Sequence, residues 1–192
     1  TVFLRIPIVI HESDAQPGRA NKLAARFARA IAVTYDTESH YFPAQKTLRT
    51  GIPTRSHLLK PASADPYAQL GIAAPPGGGS LIFVLGGSQG AERVNDLITT
   101  SLDVLLPRYM ILHQTGQANA AIVTETARAL TQQKERLSRY YVRGFLDVDA
   151  LSAALRAASL VISRAGSGSI NEIALNGKPS ILIPIPEEIS HD

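Results

Sequence analysis

The sequence contains no cysteine and no tryptophan. Without cysteine there is no disulfide, no thiolate metal site and no thiol nucleophile, a composition that fits a reducing compartment. No apolar run approaches the ~20 residues needed to span a bilayer as a helix. Charged residues are scarce at 18% and neither sign gathers in a block, which argues against a charged, disordered tail. The net charge of +3 is mildly basic, but Lys and Arg are scattered. Nor is there a stacked-aromatic pattern of the kind single-strand binders use, so a nucleic-acid partner is not expected. The five His are dispersed, which leaves no visible metal site, and nothing calls for a cofactor.

What is present is a chain of 192 residues, 45% apolar, long enough to bury a core in one domain or in parts of two. It opens on Thr1 directly before the apolar segment TVFLRIPIVI and stops at IPIPEEISHD, just past a strand-like run. Both ends read as an internal stretch of a longer chain.

Apolar runs alternate with helical patterns. IPIVIH (6–11) and AIAVTY (30–35) read as strands. GRANKLAARFARA between them carries Leu23, Ala24, Phe27 and Ala28 at amphipathic-helix spacing. A short helix is expected at 37–43 and a short strand at 46–51. The Pro-, Gly- and Ala-rich stretch 61–79 is the best linker candidate, with ADPYAQLGI able to form one helix inside it. Beyond it the alternation becomes regular: strands at 80–85, 109–113, 140–144, 158–163 and 179–184, helices at 89–105, 118–137, 147–157 and 168–176. Near-continuous apolar strands separated by helices imply βαβ crossovers and a parallel sheet. The expected architecture is α/β, with two pieces joined by a linker.

In open α/β sheets ligands bind beyond the carboxyl ends of the strands, so the residues after each strand are the candidates. They are His11-Glu12-Ser13-Asp14, Thr50-Gly51-Ile52-Pro53-Thr54-Arg55, Gly86-Gly87-Ser88-Gln89-Gly90, His113-Gln114-Thr115-Gly116, Gly144-Phe145-Leu146-Asp147, and Ser163 to Ser169 leading to Glu172. The 86–90 turn has a physical logic: glycines let backbone N–H groups approach an anion, the next helix offers free amides, and Ser88 adds a hydroxyl. A plain strand–helix turn explains the same glycines equally well. The small residues of 163–172 open a second such helix. No G-K-[ST] follows, which disfavours a nucleoside-triphosphatase loop, and the spacing is not G-x-G-x-x-G. Glu172, one turn into its helix, suits ribose hydroxyls, with complementation of the helix dipole as the bland alternative. Arg55 can reach a pyrophosphate or brace a domain junction. His11, Glu12 and Asp14 can do acid–base work, although Asp14 equally suits a helix cap near Gly18. His40 and His113 read as surface or packing histidines.

Taken together, IPIVIHESDAQPGRANKLAARFA, TGIPTR, LIFVLGGSQGAERVN, HQTG, GFLDVDAL and SRAGSGSINEIALNGKPSILIPIP resemble the MurG family along essentially the whole chain. Those bacterial enzymes move N-acetylglucosamine from UDP-N-acetylglucosamine to lipid I, forming lipid II in peptidoglycan synthesis. The resemblance implies a GT-B fold, two Rossmann-like domains with parallel sheets facing a cleft, the first only partly present. The divisions it implies are 1–52 for the acceptor-side domain, 53–79 for the linker and 80–192 for the UDP-sugar-binding domain. It places the donor at Asp14, Arg55, Gly87, Ser88, Gln89, Leu146 (through its backbone), Ser167, Gly168, Ser169 and Glu172. Asp14 stands where the family usually has Asn, keeping an acceptor oxygen and losing the amide donor.

The resemblance further implies an inverting hexosyltransferase without metal, peripheral on the cytoplasmic face of the bacterial inner membrane. The general base is expected outside this stretch, with Glu12 a candidate within it. The isolated stretch is expected to be inactive. Two other readings remain open: another GT-B enzyme such as a nucleotide-sugar epimerase, and a catalytically inactive sugar-nucleotide-binding module.

Overall fold

A computed structural model describes residues 6–54, 58, 65–86 and 91–185, with the backbone alone at 37–39. The chain divides into two compact units, Thr1–Thr54 and Arg55–Asp192.

The first unit is a parallel three-stranded sheet in the order β1-β2-β3, with β1 Ile8–Glu12, β2 Ala28–Val33 and β3 Thr47–Arg49. Its core gathers Ala25, Ala28, Ile31, Val33 and Phe42, with Ile8 and Ile10 packed alongside. The helical spacing of residues 18–30 predicts one continuous helix, but α1 covers only Arg19–Ala24 before Ala28 enters β2. The Lys46 ammonium donates to the carbonyls of Ala25 (2.6 Å) and Ala28 (3.1 Å). In a longer helix those acceptors would pair with amides four residues on, so a cation from the following segment ends the helix early.

The second unit is a parallel five-stranded sheet in the order β6-β5-β4-β7-β8. The strands are β4 Ser80–Leu85, β5 Tyr109–Gln114, β6 Tyr140–Arg143, β7 Leu160–Arg164 and β8 Ser180–Ile183. β4 lies at the centre and is apolar on both faces. Leu81, Phe83 and Leu85 enter one core with Leu151, Ala154, Leu155 and Ile173, whereas Ile82 and Val84 enter the other with Val94, Ile98 and Leu102. Burial on both sides is why this strand reads as an unbroken apolar run. The first layer holds α5 (Val148–Ala157) and α6 (Ser167–Leu175); the second holds α3 (Glu92–Leu105) and α4 (Ala120–Leu130).

One sequence expectation changes here, and the helix expected inside the linker stretch is present. The helix expected over 118–137 ends at Leu130, and a short 3₁₀ turn, Lys134–Arg139, leads into β6. Both carboxylate oxygens of Asp103, on α3, accept the Gln132 amide (3.1 and 3.2 Å), so a tertiary contact holds the break. Within the stretch read as a linker, α2 (Pro66–Leu70) is N-capped by Asp65, which accepts from the Tyr67 amide, and closes on Gly71 at φ 62°. The helix belongs to the second unit: Leu70 and Ile72 join the core under α5, and Arg156 of α5 donates to Gln69 (2.8 Å).

From β4 the chain runs outward through β5 to β6, then returns to the other side of β4 for β7 and β8. The loops after β4 and β7 therefore lead to helices on opposite faces of the sheet, and a crevice opens between them at the carboxyl edge.

Candidate functional site

That edge carries a cavity of about 580 Å³ lined by Leu85, Gln114, Phe145, Leu146, Asp147, Val148, Leu151, Gly168, Ser169 and Glu172. Each side has a distinct origin. Leu85 ends β4 and Gln114 ends β5, and both are buried. Gly86 follows directly, its amide donating to the Gln114 carbonyl at 3.0 Å. A Cβ at position 86 would lie 2.5 Å from that carbonyl oxygen. The first glycine of the turn is thus required by backbone packing against β5, whatever the remainder of the turn binds.

The loop after β5 is held by side chains from two helices. Asn95 of α3 and Asn119 each donate their amide to the Thr115 carbonyl at 3.2 Å, and the Thr115 amide donates to Arg143. Gly116 then turns with φ 85°, a conformation that favours glycine. After β6, Leu146 both joins the core beneath α5 and lines the cavity. Phe145, in contrast, is 59% exposed on the rim. Asp147 caps α5 by accepting from the Ala150 amide at 2.8 Å.

On the opposite wall α6 begins at Ser167 after Gly166, which supplies no side-chain cap. The positive end of that helix meets the cavity at Gly168 and Ser169. Glu172 lies further along α6 on the same wall. The cavity combines an apolar floor, an exposed aromatic rim, helix N-terminal amides and a carboxylate. That set can hold a flat base, a diol and an anionic group together.

Of the residues predicted for this half, Leu146, Gly168, Ser169 and Glu172 line the cavity, and Ser167 begins the same helix. Arg55, Gly87, Ser88 and Gln89 lie outside the described residues. Sequence reading did not single out Leu85, Val148, Leu151 or the rim position of Phe145. An aromatic directly after a strand in GFLDVDAL was the available signal for Phe145.

In the first unit the polar group after β1 is highly organised. Glu12 is 3% exposed, its Oε1 accepting from the Ser13 (3.0 Å) and Asp14 (3.2 Å) amides and its Oε2 from the Gly18 amide (3.1 Å) and Asn21 Nδ2 (3.0 Å). Thr34 donates to the Glu12 carbonyl, and His11 Nε2 lies 2.9 Å from the Gly51 carbonyl oxygen. Gly18 occupies the N-cap position of α1, and Asp14 is exposed, away from that cap.

The Glycosyltransferase family 28 C-terminal domain matches residues 81–192. The chain belongs to glycosyltransferase family 28. A Bacillus cereus protein named UDP-N-acetylglucosamine--N-acetylmuramyl-(pentapeptide) pyrophosphoryl-undecaprenol N-acetylglucosamine transferase 2 is 37% identical over 183 residues, 94% of this chain and 47% of that protein. The transferase of that type from Thermodesulfovibrio yellowstonii is 38% identical over 185 residues, 95% and 48% of the two chains. Among solved structures, Acinetobacter baumannii MurG superposes with a TM-score of 0.63 at 26% identity, over 98% of this chain and 48% of that one. The chain spans about half the length of the curated relatives it matches. The parallel-sheet α/β architecture of both units matches the GT-B glycosyltransferases.

The family-28 domain also encloses a titratable pair that takes no part in the cavity. His113, on β5, is fully buried, with Nδ1 2.7 Å from the Tyr140 hydroxyl. Nε2 has no hydrogen-bond partner among the described residues. Burial disfavours the imidazolium and lowers the His113 pKa to about 3, while the Tyr140 phenol is raised for the same reason. The unfolded chain therefore binds a proton at His113 between about pH 6.5 and 3 that the folded chain does not. Stability is full above that window and declines as pH falls through it, by an amount on the order of a few kcal/mol. Urea denaturation from pH 7 to pH 4 should show His113→Gln losing less stability than the unsubstituted chain. Parallel stability–pH profiles for the two would contradict the assignment.

Proposed function

We propose that this chain is the donor-binding portion, with part of the acceptor-side domain, of an inverting N-acetylglucosaminyltransferase that converts lipid I to lipid II. The observation that carries the reading is that Leu146, Gly168, Ser169 and Glu172, from separate stretches of sequence, line one cavity at the strand-end crevice of a family-28 domain. The relatives' names state the same donor and acceptor.

In this reading the uracil lies against the Phe145–Leu146 segment, where peptide groups beside the cavity meet its polar edge and the exposed Phe145 ring offers a flat apolar face. The Glu172 carboxylate accepts from the ribose hydroxyls. The diphosphate meets the N-terminus of α6, with Arg55, Gly87, Ser88 and Gln89 as the further proposed contacts. The acceptor hydroxyl oxygen of lipid I attacks the anomeric carbon from the face opposite UDP. The new C–O bond forms as the bond to the β-phosphate oxygen breaks; the electron pair leaves with UDP and the hydroxyl proton passes to a base. Helix amides and a cation aimed at the departing diphosphate stabilise charge that grows in the transition state. Asp14, in the first unit, supplies an acceptor for the transferred sugar.

A lipid-linked acceptor calls for contact with a bilayer surface. Among the described residues no helix is long and apolar enough to cross a membrane. Close in sequence, Leu23 and Phe27 are 62% and 54% exposed, and Arg19, Lys22, Arg26 and Arg29 are exposed as well. Apolar side chains ringed by Lys and Arg suit an anionic bilayer surface, and we place the peripheral contact on the cytoplasmic face of the inner membrane there.

Calorimetric titration of the 192-residue chain should show UDP and UDP-N-acetylglucosamine binding at least about tenfold more tightly than ADP, a gap of roughly 1.4 kcal/mol. Glu172→Gln should weaken UDP by about the same factor. Equal affinity for ADP and UDP removes the uridine pocket from this reading. In co-sedimentation, the chain should bind vesicles containing phosphatidylglycerol, and Leu23→Ser with Phe27→Ser should release it. Unchanged retention of that double variant would place any membrane contact elsewhere.

A further inference from the structure

We infer that Glu12 is a positioning residue, whose carboxylate fixes the loop carrying Asp14 and has no free lone pair with which to act as the base. The inference rests on the transferase reading above and assigns the division of labour within its first unit.

Glu12 stands at the carboxyl end of β1, and its side chain is enclosed. A carboxylate has about four lone-pair directions, and here four donors occupy them. Two backbone amides, Ser13 and Asp14, converge on Oε1, while the Gly18 amide and the Asn21 side-chain amide converge on Oε2. The donors bracket residues 13–18 from both ends, so one side chain closes the loop on itself. Asn21 adds a second tie by donating to the His11 carbonyl at 3.2 Å, and Thr34, directly after β2, donates to the Glu12 carbonyl at 2.9 Å. To accept a proton from a substrate, Glu12 would have to give up one of these bonds and leave a donor unmatched, which is costly away from water.

What the closed loop presents is Asp14. Its amide is one of the four donors, which fixes the backbone, and its side chain is exposed and available to a ligand. Chemistry at the anomeric carbon is sensitive to such placement: an error of about 1 Å can cost on the order of a hundredfold in rate.

The charge pattern supplies the test. In Glu12→Gln one oxygen still accepts, but the new NH₂ group faces donors and repels them. In the full-length transferase carrying this sequence, Glu12→Gln should lower kcat by about tenfold to a hundredfold with the KM for the UDP-sugar little changed. The pH profile of kcat in Glu12→Gln should keep the shape of the unsubstituted enzyme's, because a different group acts as the base. A pH profile that loses its acidic limb, or a Glu12→Gln variant with unimpaired kcat, overturns the inference.

Amide hydrogen exchange on the 192-residue chain gives an arm independent of activity. Glu12→Gln should speed exchange at Ser13, Asp14 and Gly18 and leave UDP affinity unaltered; unchanged exchange at all three overturns the loop-closing role. If the unsubstituted chain failed to bind UDP, the transferase reading would fail instead, and the exchange result would stand apart from it.

Discussion

The cavity at the strand ends depends on one constraint: β4 is buried on both faces at the centre of its sheet. Phe83 and Leu85 feed one layer and Ile82 and Val84 the other, so helices must cover both sides. A chain that builds such a sheet outward from the middle has to reverse direction at β4, and the loops on either side of that reversal part to leave a crevice. The apolar burial that stabilises the domain therefore also decides where a ligand can sit. The close approach of Gly86 to the Gln114 carbonyl is the local consequence, because β4 and β5 reach the edge with no room for a side chain between them.

The two units present polar chemistry in different ways. In the second, the cavity has an apolar floor that includes Leu85 and Leu151 and an exposed rim at Phe145, with α6 meeting it end-on and Asp147 already engaged in capping α5. Its selectivity is expected to come from peptide groups and shape, with Glu172 the acidic residue on the α6 wall. In the first, a buried carboxylate spends its hydrogen-bonding capacity on the loop, and the exposed Asp14 faces outward. A buried acid that holds a loop and an exposed acid open to a ligand suit distinct tasks, and burial separates them.

Much of this was legible in the sequence. The continuous apolar run of LIFVL and the helical patterns over 147–157 and 168–176 each act within a few residues, so pattern alone located β4, α5 and α6. What escaped pattern reading was set by contacts distant in sequence. Lys46 ends α1 from about twenty residues away, and Asp103 holds the break after α4 from nearly thirty. The floor of the cavity joins Leu85 to Leu151, a pairing that no local spacing encodes. Likewise HESD shows two carboxylates, and only the geometry separates a saturated one from an exposed one. For the GGSQG turn, the packing of Gly86 supplies a structural reason for its first glycine, and the anion-binding role of the rest remains part of the proposal.

The central claim is that the crevice beside β4 holds a uridine diphosphate, and mapping UDP onto the backbone amides of the 192-residue chain by NMR tests it most directly. The account predicts shifts concentrated at Leu85, Gln114, 144–148 and 167–172, with His113 and the residues of α2 unaffected. Shifts clustered away from the carboxyl edge of the five-stranded sheet, or none at millimolar UDP, would contradict it.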